Sequence, residues 1–160
     1  MGRGTLGPLE SGATAPDVTL VEAGGARRTL ASLLAAGPVL LAFFKVSCPT
    51  CQLTLPFLGR LAGGNLQIVP VSQDSPAATR RFAQEFGLTL AALYDREEDG
   101  YPASNAFGIT NVPSLFLVEQ DRRIAWNLEG FHRQQLEVLA GRSGQPIFYA
   151  GDMVPELKAG

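Results

Sequence analysis

Apolar residues along this chain come in short runs whose spacing switches between that of strands and that of helices. The run from Val39 to Phe44 is unbroken and follows Gly37-Pro38, the pattern of a strand covered on both faces. Upstream of it, Val18 to Val21 predicts a short strand, Gly24-Gly25 a turn, and Thr29 to Ala36 a short helix. Downstream, Leu53, Phe57, Leu58 and Leu61 recur at helical spacing, so Gln52 to Leu61 predicts a helix, kinked at Pro56 and closed by Gly63-Gly64. Leu66 to Val71 predicts the next strand, with Pro70 placed where no ladder hydrogen bond is needed. Ser75 and Pro76 supply an N-cap and a first-turn proline for a helix ending at Phe86-Gly87. A strand from Leu88 to Tyr94 and an acidic loop from Asp95 to Gly100 follow.

The remaining pattern predicts a short helix over Ala103 to Phe107 and a strand over Ser114 to Val118. A turn at Gln120-Asp121-Arg122 then leads into a strand over Ile124 to Asn127, which makes an antiparallel hairpin. A last amphipathic helix spans Phe131 to Ala140, with Leu136 and Leu139 inward. Strands alternating with helices, then a hairpin and a helix, predict an α/β fold: a three-layer α/β/α sandwich around a mixed sheet. The expected organisation is a loose N-terminal arm over 1–15, one domain over 16–141 and a tail over 142–160. In that tail, the apolar patch Ile147 to Tyr149 is expected to dock on its own core, with pairing to a second subunit or contact with a client as the alternatives.

Composition narrows the function classes. The 160 residues are 46% hydrophobic and 18% charged, enough apolar material for a core and too little charge for a disordered chain. The net charge of −2, with basic residues in scattered doublets, argues against a nucleic-acid partner. No apolar run is long enough to span a bilayer, and residues 1–16 lack the apolar core of a signal peptide. A cytoplasmic location is therefore expected, or an exported one if a signal has been removed.

The chain has only two cysteines, Cys48 and Cys51. A bridge between residues so close constrains the unfolded chain little, so stability is a poor reason for the pair. A structural zinc site needs four ligands, and His132 alone cannot complete one, so no metal or other cofactor is expected. Where a buried strand turns into a helix, two cysteines at this spacing suit thiol–disulfide exchange. Pro49 fits the first helical turn and puts Cys48 at or near the N-cap, where free N–H groups and the helix dipole favour a thiolate. Cys51 falls one turn on, on the same face. The expected cycle has Cys48 attacking a client disulfide and Cys51 resolving the mixed disulfide. Lys45, just upstream, is a candidate for electrostatic support.

From Phe43 to Cys51, with Pro56 after it and Phe107 to Leu117 further on, the sequence resembles the thioredoxin superfamily, and within it the redoxin/TlpA-like thiol–disulfide oxidoreductases. The resemblance covers Pro16 to Leu139. It implies a cis peptide before Pro113, set against the cysteines, and a Val112 backbone that pairs with an extended client segment. Val112 and Pro113, with Pro49 and Thr50, are thus the expected client-binding positions. The resemblance also implies that Leu66 to Tyr94 is the strand–helix–strand insertion of TlpA-like proteins, and that Pro56 is the proline that kinks the active-site helix. It implies protein disulfide or dithiol clients and a redox partner protein. A monomer is expected, with a dimer through the tail as the alternative.

The sequence departs from the family in several places. Ser47 replaces the usual Trp before the first cysteine. Ala42 and Thr54 stand where relatives carry a buried Asp or Glu, which leaves the proton acceptor for Cys51 unassigned. Two other readings fit the same fold. Peroxiredoxins put Thr or Ser, and further upstream Pro, before their reactive cysteine, where this chain has Lys45 and Leu41. Copper-binding redoxins space the cysteines one residue wider and place a His near Asn111 to Pro113; His132 lies beyond the hairpin.

Overall fold

The computed structural model describes residues 7–160. Its frame is a seven-stranded mixed sheet. In chain order the strands are β1 (Thr19–Val21), β2 (Arg27–Thr29), β3 (Val39–Phe44), β4 (Gln67–Ser72), β5 (Leu93–Tyr94), β6 (Ser114–Val118) and β7 (Ile124–Glu129). Across the sheet they run β2-β1-β5-β4-β3-β6-β7. β3 is an interior strand, parallel to β4 and antiparallel to β6. Helices α1 (Leu30–Leu34), α2 (Pro49–Leu58), α3 (Pro76–Phe86), α4 (Pro102–Phe107) and α5 (Arg133–Ser143) cover the two faces. Among the described residues, no helix is long and apolar enough to cross a membrane.

The alternation of β3 explains its unbroken apolar run. Leu40, Ala42 and Phe44 enter one core, with Cys51, Leu55 and Leu58 of α2, Phe82 of α3 and Leu136 of α5. Val39, Leu41 and Phe43 enter the other, with Leu33 of α1 and Phe107 of α4. In that second core the rings of Phe43, Phe107 and Phe116 lie 5.0 to 5.9 Å apart and meet tilted or edge-on, the arrangement aromatic quadrupoles favour. A strand feeding two cores has no room for a polar side chain.

Several elements differ from the sequence expectation. The strand expected over Leu88 to Tyr94 shrinks to Leu93–Tyr94. Its ladder with β4 covers only Val71 and Ser72, and the neighbouring Pro70 brings no N–H to extend it. β2 was unforeseen because Arg27, Arg28 and Thr29 form a polar edge strand with no apolar alternation. The final helix starts later than expected. Phe131–His132 is a short strand, β8, and the His132 side chain caps α5 by accepting from Gln135 N–H.

The chain flanking the domain is folded onto it. Of the loose arm expected over 1–15, residues 1–6 lie outside the described residues. Leu9 N–H donates to Phe107 C=O at 3.0 Å, Ile124 N–H to Ala13 C=O at 2.9 Å, and Ala15 is fully buried. In the tail, Ile147 is buried and the Phe148 ring meets Phe57 and Phe131 at 5.1 and 5.9 Å. Arg60 lies over the Tyr149 ring and pairs with Asp152 at 2.6 Å. A last strand, β9 (Leu157–Lys158), pairs antiparallel with β8.

Candidate active site

β3 ends at Phe44, and the chain turns through Lys45 to Ser47 before α2 begins. This turn is pinned on both sides. Val46 N–H donates to the Asp74 carboxylate at 2.8 Å, and Val46 C=O accepts from the Gln52 amide at 3.0 Å. Asp74 N–H in turn donates to Ser72 Oγ at 3.0 Å, which fixes the loop after β4. Asp74 was not foreseen as a site residue. It precedes the Ser75-Pro76 helix start, and that local signal accounted for the whole polar run.

Cys48 is the N-cap of α2 and Pro49 the first helical residue. The Cys48 sulfur accepts from Cys51 N–H at 3.2 Å, one of the donors that a helix start leaves without a backbone partner. The Cys48 thiol also donates to Val112 C=O at 3.4 Å. The Val112-Pro113 peptide is cis. Gly130 N–H donates to Pro113 C=O at 2.9 Å, and Ser114 Oγ–H to Asn111 C=O at 2.6 Å, so the loop carrying Val112 is held against the helix start.

Cys48 is half-buried and Cys51 fully buried, both as free thiols. Burial pushes the Cys51 thiol far above the usual thiol range. The hydrogen bond with Cys48 pushes the same way; a hydrogen bond with the Lys45 backbone lowers it, and the electrostatic effects of Cys48 and Asp74 add smaller raises. Ala42 shares the apolar core around Cys51. Thr54 is buried and spends its hydroxyl on Thr50 C=O at 2.7 Å.

Of the expected residues, Lys45, Cys48, Pro49 and Val112 line a cleft of about 370 Å³, together with Gln73 and Ile109 among others, whereas Thr50 and Pro113 are not in its wall. Lys45 and Pro49 are exposed at this cleft. Thr50 is buried, and its hydroxyl donates to Ala159 C=O at 2.6 Å. A slightly larger groove of about 440 Å³ along Pro56, Arg60 and Thr89 has no cysteine, histidine or carboxylate in its wall. Among the described residues, no three His, Cys, Asp or Glu side chains cluster as metal ligands would.

Known proteins are similar to this chain in sequence and fold. Thiol-disulfide oxidoreductase ResA of Geobacillus thermodenitrificans is 28% identical over 118 residues, covering 71% of this chain and 66% of the relative. ResA of Geobacillus kaustophilus is 27% identical over 124 residues, 74% of this chain and 69% of the relative. This chain thus spans about two thirds of their length. Among solved structures, the thioredoxin domain of a thiol-disulfide oxidoreductase from Bacteroides vulgatus superposes with a TM-score of 0.71 at 19% identity, covering 84% of this chain and 97% of that one. The peroxidoxin BcpB of Mycobacterium tuberculosis superposes at 0.62 and 22% identity, covering 75% and 85%. These likenesses establish a thioredoxin-like α/β fold. The sequence model of the AhpC/TSA family matches residues 11–127, and this chain belongs to that family, a redoxin branch of the thioredoxin superfamily.

Proposed function

We propose that this chain is a thiol–disulfide oxidoreductase acting on protein disulfides, with Cys48 as nucleophile and Cys51 as resolving thiol. The carrying observation is the unequal placement of the two sulfurs. One is half-exposed at a helix N-cap and in a cleft; the other is buried one helical turn behind it.

In the first step the Cys48 thiolate attacks one sulfur of a client disulfide. A Cys48–client bond forms, and the other client sulfur leaves with the electron pair and takes up a proton. The Cys51 N–H points at the Cys48 sulfur, the atom that attacks. In the second step Cys51, as thiolate, attacks Cys48 and expels the client's second sulfur. The client leaves with two thiols, and Cys48 and Cys51 leave as a disulfide. No carboxylate stands at Ala42 or Thr54; the client thiolate expelled in the first step is the base, and the proton it takes up is the one Cys51 gives before it attacks. Val112 C=O, beside the Cys48 sulfur, is the backbone group placed to pair with an extended client segment, and a redox partner protein restores the dithiol.

The test is reduction of insulin disulfides with dithiothreitol as electron source. The protein is expected to bring the turbidity forward, and a Cys48→Ser variant to return it to background. Faster consumption of hydrogen peroxide than of insulin would reassign the chain as a thiol peroxidase.

A further inference from the structure

The end of the described chain lies in the place where the proposed mechanism needs a client. β9 pairs with the edge of β8, Lys158 opposite Phe131 and Leu157 opposite His132. Arg133 N–H donates to Glu156 C=O at 2.9 Å, which prolongs that pairing by one bond. Beyond β9 the chain passes over the start of α2, where Ala159 C=O accepts from Thr50 Oγ1, and reaches the wall of the Cys48 cleft at Gly160. The approach is close enough to demand glycine. A Cβ on Gly160 would lie 2.0 Å from Val112 C=O, the same oxygen that accepts from the Cys48 thiol. Just before the opposing strand, Gly130 has φ +75°, and a Cβ there would lie 2.8 Å from Lys158 C=O.

Residues 155–160 are all exposed, so the strap is held by its backbone and not by buried side chains. Its base is anchored differently: Asp152 is locked to Arg60, and Ile147 is in the core. A short edge pairing with little buried apolar surface opens easily, while the anchored base keeps the strap near its site.

We propose that residues 156–160 are an internal competitor for the client-binding edge: an extended peptide that covers Val112 and must be displaced before a client strand can pair there. The proposal rests on the reading of Val112 as a client contact. The chemistry that recognises the strap is main-chain pairing plus a residue without a side chain opposite Val112. The displacing partner is therefore an extended, unfolded client segment with a small residue beside its disulfide.

Two variants release the strap: deletion of residues 156–160, and Gly160→Ala in the full chain, which changes one methyl group and leaves the core untouched. The readout is the rate at which a short iodoacetyl-peptide alkylates Cys48, a reaction that needs no disulfide turnover. A strap docked nine-tenths of the time would make both variants react about tenfold faster than the parent. A synthetic peptide of residues 154–160 should slow the deletion variant again. Equal rates in parent and variants would overturn the proposal. Faster alkylation without any insulin reduction by the parent or the variants would leave the strap standing and discard the oxidoreductase reading instead.

Discussion

The two cysteines carry the same functional group and are three residues apart, yet they occupy opposite environments. Cys48 precedes the helix proper, so its side chain stays at the mouth of the cleft, within reach of an N–H and a carbonyl. Cys51 falls on the inner stripe of α2 with Leu55 and Leu58, four and seven residues on, and shares their burial. Helix phase alone thus separates a half-exposed thiol from a buried one. In the proposed exchange, that difference assigns attack to the first sulfur and resolution to the second.

That asymmetry is broken most severely by exchanging the sulfurs for oxygen. Cys48→Ser should abolish insulin reduction, a loss on the order of a thousandfold or more, as removing a nucleophile does. Cys51→Ser should instead leave a client-linked species visible on non-reducing gels. Equal phenotypes for the two variants would erase the distinction. Next in size is pH. With the Cys51 thiol held far above its usual range, its thiolate fraction, and so the rate of the second step, should rise about tenfold per pH unit between pH 7 and 9. Release of a chromophoric thiol from a preformed Cys48 mixed disulfide measures this step alone. The same raised value means that the folded state holds its proton longer than the unfolded chain. Thermal stability should therefore fall as pH climbs past the ordinary thiol value of 9.0.

A smaller effect should sharpen the picture. Asp74 raises the Cys51 thiol through its charge while bonding Val46 N–H. Asp74→Asn keeps an acceptor for that bond but removes the charge, so the pH profile of the second step should move slightly to lower pH. An unchanged profile would mean that burial and the Cys48 hydrogen bond set the floor without Asp74. The smallest effect lies away from the site. The Arg60 guanidinium and Tyr149 N–H hold Asp152 below the ordinary carboxylate value of 3.8. The stability this adds is present above that value and is lost as pH falls below it. Hydrogen exchange at residues 147–152 should therefore quicken in acid before the β3 amides respond.

Much of this was legible in the sequence because it depends on local pattern. The apolar run of β3, the Pro49 that begins α2 and the Ser75-Pro76 start of α3 each announce themselves within a few residues. What stayed hidden depends on distant partners. Asp74 matters to the site through a bond to a residue 28 positions away. Thr50, expected at the client surface, instead donates to a residue 109 positions away. Asp95 read as the start of an acidic loop, but its carboxylate accepts from Ala103 and Ser104 N–H at 2.9 and 2.7 Å and so starts α4. β8 and β9 are two residues each, too short to carry a period. None of these has a signature in its own neighbourhood.

The division of β3 between two cores has a practical consequence. Its odd-numbered side chains meet only the Phe107 and Phe116 side of the sheet, and its even-numbered ones only the Cys51 side. The strand therefore works as a partition wall. The thermal robustness of the scaffold can be adjusted from one compartment while the reactivity of the dithiol is adjusted from the other, and a change confined to either need not be re-balanced across the sheet.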